Sequence, residues 1–341
     1  MLRSICSFAL CFGTVTLLLS GGASAQTPAK LIAPDADNHM HIQTSALSEQ
    51  LRALASREPS DFKLMDPGML SPRTGTEALK ILDVAGIREG ALLSEGYMWT
   101  SKRLGIDPAL GAKRTREENA YNVDAAIHSN GRLRAFIGIN PLWSGAADEI
   151  RFWAGKPGVT GLKIHLANSG FDPGSTEDLG KLEAVFDEAN ALRLPVIIHV
   201  RHAKVYPIAD ASAFINKVLP HIGDTPIQIA HAGGWGGLDQ ETLDSLNLYA
   251  EAIARKAPGT KHLRLDLALV VIDEHTDRAL ARGCAELMRK IGLNHFVFGS
   301  DWPAIYTPAK FAGLLVSQIP LNQAEWNIVF SNPPTGGAIP R

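Results

Sequence analysis

Residues 36–41, Ala-Asp-Asn-His-Met-His, are the stretch from which the fold of this chain can be worked out. The segment is typical of a strand, in which side chains alternate with period two, so His39 and His41 point to the same face. Two imidazoles on one face can offer nitrogens to a single metal ion without distorting the backbone. The same spacing also fits one histidine at a turn and one in solvent, so the rest of the chain must supply partners.

Seven further short segments rich in Val, Ile and Leu follow this one along the chain. Helical spacing of apolar residues lies between them, as in 179–189 and 280–288. Strands with little polar alternation are typical of parallel sheets buried on both faces. We therefore predict the α/β class and a (β/α)8 TIM barrel. The predicted strands are 36–41, 90–94, 133–139, 161–165, 195–199, 227–231, 263–267 and 295–300.

The N-terminal segment has the pattern of a secretory signal peptide. Arg3 is followed by an apolar run to Leu19 and then by Ala-Ser-Ala before Gln26, a small-residue cleavage pattern. We expect cleavage after Ala25, which makes 1–25 the signal peptide and 26–341 a single domain, secreted to the periplasm. A membrane anchor is the alternative, although the apolar run is short for a spanning helix.

The composition limits the classes of molecule that the protein is expected to bind. Two of the three cysteines leave with the signal peptide, so the mature chain keeps only Cys284 and cannot form an internal disulfide. The formal net charge of the whole chain is −2, with acidic and basic residues interspersed. We therefore expect no binding to nucleic acid and no stable membrane association after cleavage, and a small-molecule substrate as the partner.

Polar residues gather at the C-terminal ends of the predicted strands. In a barrel these ends form the catalytic face, so histidines and acids placed there are expected to be functional. Two irregular stretches, 57–75 and 96–116, follow early strands and could cover the mouth of the site or be plain surface insertions. The strand-end residues are His39, His41, Lys163, His165, His199, His231, Asp301 and Trp302.

Five of these strand-end motifs resemble those of the amidohydrolase superfamily. They are 37–41, 161–165, 194–199, 229–234 and 298–303, in that order, and the resemblance covers nearly the whole mature chain. Within the superfamily the chain is similar to the amidohydrolase-related group. That group contains metal-dependent hydrolases and decarboxylases of the aminocarboxymuconate-semialdehyde type, and homodimers are common in it.

The resemblance implies that His39, His41, His199 and Asp301 bind a divalent cation, with a water in the remaining position. Imidazoles and a carboxylate suit zinc, with manganese or iron as alternatives, and one ion is expected rather than two. Such a site lowers the pKa of the bound water towards about 7. The resemblance places His231 beside the metal as a catalytic residue and gives Asp301 the second task of taking the proton from the water.

Four further residues are candidates for substrate binding. Lys163 could pair with a substrate carboxylate, although in some superfamily members a carboxylated lysine on this strand bridges two metals. His165 shares the face of Lys163 and could reach the pocket or simply begin the loop. Arg201, with His202, follows His199 closely and could bind a carboxylate. Trp302 follows the last strand, where an aromatic residue packs the loop or contacts substrate.

The function that these residues favour is a secreted metal-dependent hydrolase, in which a metal-activated water attacks the carbonyl of an amide, lactone or ester. The alternative enzyme is a non-oxidative decarboxylase of an unsaturated or aromatic acid, because the same ligands can chelate a carboxylate. From another class, the chain could be a non-catalytic barrel with a vestigial metal site.

Overall fold

A single eight-stranded parallel sheet forms the centre of the computed structural model, which describes residues 32–201, 208–272 and 275–337. The strands pair in sequence order from β1 to β8, which confirms the predicted (β/α)8 barrel. The predicted signal peptide and His202 lie outside the described residues. The strands are β1 (Ala36–Met40), β2 (Glu89–Leu93), β3 (Leu133–Gly138), β4 (Val159–His165), β5 (Val196–His199), β6 (Ile227–Ile229), β7 (Leu263–Asp266) and β8 (Phe296–Val297).

Helices connect each strand to the next. None of the helices within the described ranges has the length and hydrophobicity that crossing a membrane requires. They are α1 (Ser45–Arg57), α2 (Pro59–Phe62), α3 (Gly75–Ala85), α4 (Pro108–Ile127), α5 (Ala146–Trp153), α6 (Leu166–Ser169), α7 (Thr176–Ala191), α8 (Ile208–Ala213), α9 (Gln240–Ala254), α10 (Arg278–Ile291), α11 (Pro308–Gln318) and α12 (Gln323–Ser331).

The barrel is nearly closed between its first and last strands. The segment that continues β8 runs beside β1, where the Asn38 N–H donates to the Phe298 carbonyl at 2.9 Å. Two more bonds join the same edges: the Asp301 N–H donates to the His39 carbonyl, and the His41 N–H donates to the Trp302 carbonyl, both at 2.8 Å. These contacts bring the first and last predicted motifs side by side.

Apolar side chains fill both surfaces of the sheet. The larger cluster lies between strands and helices, as periodic apolar faces on the helices predict. A smaller cluster of Ala91, Leu93, Phe136 and Ile197 packs on the inner face. Ile197 precedes His199 by two positions on β5, so both point into the barrel, with the apolar residue below the polar one.

Some predicted boundaries were wrong. The sixth strand is shorter than predicted, because the chain turns into a 3₁₀ helix over Ala230–Gly233. The eighth is shorter because regular strand geometry ends at Val297, although the following segment still bonds to β1. Residues 96–116 are not irregular throughout. A 3₁₀ helix spans Gly96–Thr100, and α4 begins at Pro108, where the Asp107 carboxylate accepts hydrogen bonds from two backbone N–H groups of the first turn.

The burial of Glu118 on α4 disfavours the charged form of its carboxylate, and the effect on protein stability can be measured. Its carboxylate accepts bonds from the Thr44 N–H at 3.0 Å and the Thr44 hydroxyl at 2.6 Å. Burial nevertheless raises its pKa to about 7. Because the folded pKa lies above the unfolded one, this group favours folding at low pH, and that contribution is lost as the pH rises from about 4.5 to above 7.

The variant Glu118→Gln should therefore match the wild type near pH 4.5 and be more stable at pH 8, by on the order of 3 kcal/mol. Urea denaturation at the two pH values measures the difference. Glu77→Gln is the matched control, since hydrogen bonds from Thr74 lower the pKa of Glu77 despite the contribution of burial. That variant should gain no stability at pH 8, and an equal response of both variants would contradict the assignment.

Candidate active site

A cavity of about 340 Å³ opens at the C-terminal ends of the strands. The loops after β1, β2 and β4 to β8 contribute to its wall. Eight of the nine site residues predicted from the sequence line it, and the exception is Trp302. The eight are His39, His41, Lys163, His165, His199, Arg201, His231 and Asp301.

The two histidines of β1 are held by their Nδ1 atoms. His39 Nδ1 lies 3.0 Å from a carboxylate oxygen of Asp266, and His41 Nδ1 lies 2.8 Å from the Leu93 carbonyl oxygen. Both acceptors lack a proton to give, so each Nδ1 carries the hydrogen and Nε2 is the nitrogen left for a ligand. A carboxylate or carbonyl behind a histidine is the usual support of a metal-binding imidazole.

His231 follows β6 in a left-handed backbone conformation, with φ of 54°. Its N–H donates to Asp266 at 2.9 Å, and its Nδ1 lies 2.7 Å from the Ala268 carbonyl oxygen. The imidazole is therefore fixed in the same way as those on β1, with Nε2 available. Residues other than glycine adopt this conformation at a cost, and such strain is concentrated at functional sites.

Asp301 lies at the centre of the histidines. Like His231 and Arg201, it has a positive φ, here 58°. One carboxylate oxygen is 3.3 Å from His39 Nε2 and 3.0 Å from His41 Nε2. Burial raises the pKa of Asp301, but the two imidazoles outweigh burial and hold that pKa below its ordinary value. The group is thus an ionised carboxylate at neutral pH.

Three of these side chains could hold a divalent metal ion. Ligand atoms of His39, His231 and Asp301 all lie within 4.8 Å of one another, and all three residues are buried. The set implied by the resemblance has His41 and His199 in place of His231. His199 fits a ligand role, because its Nε2 is buried and has no hydrogen-bond partner among the described residues. Imidazole nitrogens and a carboxylate form a donor set suited to zinc, manganese or iron.

Lys163 is fully buried on the inner face of β4. Its ammonium lies 3.5 Å from His39 Nε2. Burial lowers the pKa of Lys163 to about 8. The neighbouring carboxylates of Asp266 and Asp301 oppose this effect, because they favour the charged form of the lysine. The lysine therefore supplies a cation directly beside the candidate metal site.

The remaining predicted residues occupy different places. His165 is paired with His199 across β4 and β5, and the two rings are 4.3 Å apart. Arg201 lines the cavity two positions after His199. Trp302 is instead buried in the hydrophobic core, with the Arg73 guanidinium 5.8 Å from its ring centre. Its indole packs the loop after β8.

The sequence analysis gave no role to two buried carboxylates, Asp266 and Asp37, although Asp37 is part of the 37–41 motif. Asp266 ends β7 and accepts bonds from His39, from Gln228 at 2.7 Å and from the His231 backbone. Asp37 accepts bonds from the N–H of Ser300 at 2.9 Å and from its hydroxyl at 2.6 Å, which joins the β1 motif to the β8 motif. An acid between Leu265 and Leu267 at the end of the seventh predicted strand was the available signal for Asp266.

The loop after β1 forms an apolar part of the cavity wall. Arg103, from the loop after β2, fastens it by pairing with Glu58 and with Asp61, the latter at 2.9 Å. The same guanidinium donates to the Asn168 side chain at 2.6 Å. One arginine therefore joins the loops after three strands. The apolar residues that this loop and the end of α1 contribute are Leu51, Leu54, Phe62, Leu64, Met65 and Met69.

Comparison with solved structures gives the same architecture. An amidohydrolase from Burkholderia multivorans, solved with bound zinc, aligns over 88% of this chain and 96% of its own, with 14% identity and a TM-score of 0.57. A 2,6-dihydroxybenzoate decarboxylase from Rhizobium aligns over 87% and 96%, with 13% identity and a TM-score of 0.54. A probable 2-pyrone-4,6-dicarboxylic acid hydrolase from Acinetobacter baumannii aligns over 87% and 96%, with 14% identity and a TM-score of 0.52.

At these identities the likeness concerns the fold alone. A search of the curated proteins found no match. The family model described as amidohydrolase matches residues 107–315, more than half of the chain, and so covers the motifs from β4 to Asp301. The resemblance drawn from the sequence motifs is thereby confirmed, and the chain belongs to the amidohydrolase family.

Proposed function

We propose that this protein is a metal-dependent hydrolase that cleaves an amide, lactone or ester. The observation that carries the proposal is the group of four histidines and one carboxylate that line a single cavity of about 340 Å³. They are His39, His41, His199, His231 and Asp301, and ligand atoms of His39, His231 and Asp301 lie within 4.8 Å of one another. A cavity of this size accommodates a small molecule. When bound, a divalent cation polarises a substrate carbonyl and lowers the pKa of a water molecule.

The chain's own residues supply the proton transfers. The Asp301 carboxylate is ionised and lies among the imidazoles, so it can accept the proton of the attacking water and pass it to the leaving group. His231 presents Nε2 to the same space, because its Nδ1 is bonded to a backbone carbonyl. From that position its Nε2 lone pair accepts a hydrogen bond from the water and orients it.

We further propose one zinc ion, held by His39, His41, His199 and Asp301. The buried, unpartnered Nε2 of His199 supports its inclusion, and zinc is the ion bound to the similar barrel from Burkholderia multivorans. The place of Lys163 supports a single ion. Burial lowers the pKa of Lys163 to about 8, and the carboxylates of Asp266 and Asp301 oppose that shift, so the lysine is largely charged at pH 7. A charged lysine beside the histidines disfavours a second cation there.

Decarboxylation of an unsaturated or aromatic acid is the second candidate. It is favoured by two cationic side chains that line the cavity, Lys163 and Arg201, since these could hold a substrate carboxylate. The similar fold of the Rhizobium decarboxylase agrees with this alternative as well as the fold of the Acinetobacter baumannii hydrolase agrees with the first.

The location also remains a proposal. The Arg3 to Ala25 pattern supports export and cleavage, which would place the mature enzyme in the periplasm. A homodimer stays a prediction from the family resemblance. Mass spectrometry of protein purified from the producing cell tests the cleavage, since a mature N-terminus at Gln26 is expected.

The reaction is tested with a panel of esters, lactones, amides and unsaturated or aromatic acids. We expect zinc-loaded protein to release acid from at least one ester, lactone or amide without releasing carbon dioxide. Chelation should abolish this activity and added zinc should restore it. The reason is that the proposed reaction needs the ion to polarise the carbonyl and to lower the pKa of the water. Release of carbon dioxide would establish the decarboxylase instead, and no reaction with stoichiometric metal bound would favour a vestigial site.

A further inference from the structure

The histidines of the cavity differ in which nitrogen carries the proton. His165 ends β4 and caps the N-terminus of α6, where the Asn168 backbone N–H donates to His165 Nδ1 at 3.2 Å. A backbone N–H can only donate, so Nδ1 must be an unprotonated acceptor. The neutral ring therefore carries its hydrogen on Nε2. No other arrangement of a neutral imidazole satisfies this cap.

The opposite arrangement holds for three of the other histidines. The acceptors behind His39, His41 and His231 are a carboxylate and two carbonyls, each within 3.0 Å of Nδ1. The Nε2 atoms of those three rings therefore carry a lone pair, which can accept a hydrogen bond or bind a cation. The Nε2 atom of His165 instead carries a hydrogen, which it can donate. His165 is thus unsuited to bind a cation through Nε2 and suited to bind an oxygen.

The ring of His165 is held in place from two sides. Its centre is 4.3 Å from that of His199 and 5.7 Å from that of Tyr97, and the side chain is among those that line the cavity. The residue is only 8% exposed, so a hydrogen bond from it acts in surroundings largely shielded from water. A donor that is already oriented needs no rearrangement when the substrate arrives.

We propose that His165 is the hydrogen-bond donor for the substrate oxygen at this site. Its Nε2–H would bind the carbonyl oxygen of the ester, lactone or amide, on the wall formed by β4 and β5. This inference rests on the proposed hydrolase function and adds a residue and a direction of hydrogen bonding to it. Loss of one such preorganised donor lowers kcat by about 10²- to 10³-fold in enzymes where it has been removed.

Two substitutions distinguish the hydrogen-bond donor Nε2–H of His165 from the role of its Nδ1 as the N-cap of α6. In His165→Asn the amide oxygen takes the place of Nδ1 and asparagine is a favoured N-cap, so α6 is kept while the Nε2–H is lost. In His165→Gln the longer amide places an N–H near the position of Nε2. We expect the zinc-loaded Asn variant to lose about 10²-fold in kcat with its zinc content unchanged, and the Gln variant to recover part of the loss.

A purely structural role predicts a different outcome. In that case His165→Asn, which keeps the cap, would retain the wild-type kcat, and His165→Gln would be the more damaged variant. That order of the two rates, or a loss of zinc in the Asn variant, would overturn the proposal. Thermal unfolding of both variants accompanies the kinetics, so that a folding defect in either is seen directly.

The tautomer can be measured without any substrate. In holoenzyme labelled with ¹⁵N-histidine, two-bond ¹H–¹⁵N spectra distinguish protonated from unprotonated ring nitrogens, and His165→Asn assigns the signal. We expect a protonated Nε2 and an unprotonated Nδ1 for His165. The reverse pattern would overturn the proposal whatever the activity. An inactive enzyme with the expected tautomer would instead refute the hydrolase function.

Discussion

Replacing Asp301 with asparagine is expected to lower kcat/KM by about 10³-fold or more and to weaken binding of the divalent metal. The substitution removes the negative charge that lies 3.3 and 3.0 Å from the Nε2 atoms of His39 and His41, while the size of the side chain is kept. It also removes the group that we propose accepts the proton. Metal emission spectroscopy of purified protein and steady-state kinetics measure the two effects.

A surface carboxylate provides the control. Asp244→Asn on α9 alters an exposed aspartate that accepts one hydrogen bond from Gln240, so metal content and rate should stay at the wild-type values. If Asp301→Asn kept both its stoichiometric metal and the wild-type rate, the proposed metal ligand and proton acceptor would have to be another residue. A variant that kept the metal but lost the rate would confine Asp301 to proton transfer.

The second large effect is expected for Asp266→Asn, a change at a residue that does not line the cavity. One oxygen of Asp266 accepts the His39 Nδ1–H and a Gln228 N–H, and the other accepts two backbone N–H groups. In asparagine, an NH₂ group that donates hydrogen bonds replaces one of the two carboxylate oxygens that accept them. His39 must then accept through Nδ1, which places the proton on Nε2 and removes the lone pair that a metal needs.

We therefore expect Asp266→Asn to weaken metal affinity by about 10- to 100-fold, the range typical of residues that support metal-binding histidines. Titration with a competing chelator measures the affinity. Gln228→Met is the matched control, because it removes the other side-chain donor to the same carboxylate and leaves the bond to His39 intact. Equal losses in both variants would show that packing around Asp266, rather than the tautomer of His39, governs binding.

The sequence predicted the barrel because its signals are local. Apolar runs, helical periodicity and strand-end histidines are all visible within short windows, and eight strands were found close to their observed positions. Strand ends were less predictable. The sixth predicted strand ends early in a turn where His231 and Ala232 have left-handed backbone conformations, and such a conformation at histidine or alanine has no clear sequence signal.

The sequence was sufficient to predict which residues form the site, but not which hydrogen bonds they make with one another. His39, His199, His231 and Asp301 were named from motifs, and the structure brings them together. The support of Asp266 for His39 joins residues 227 positions apart, so no local pattern reveals it. The direction of each imidazole hydrogen bond likewise depends on the three-dimensional neighbour of Nδ1. The sequence left Trp302 with two possible roles, loop packing or substrate contact, because strand-end placement alone does not distinguish a cavity wall from the core behind it.

The seam between β1 and the segment after β8 has a consequence for how the protein is made. Asp37 and Ser300 meet across 263 positions of sequence, and the candidate ligands His39 and Asp301 meet at the same place. A nascent chain still attached to the ribosome holds the first of these residues long before the last exists. Metal loading must therefore follow nearly complete synthesis, and in an exported chain that travels unfolded it would take place on the far side of the membrane.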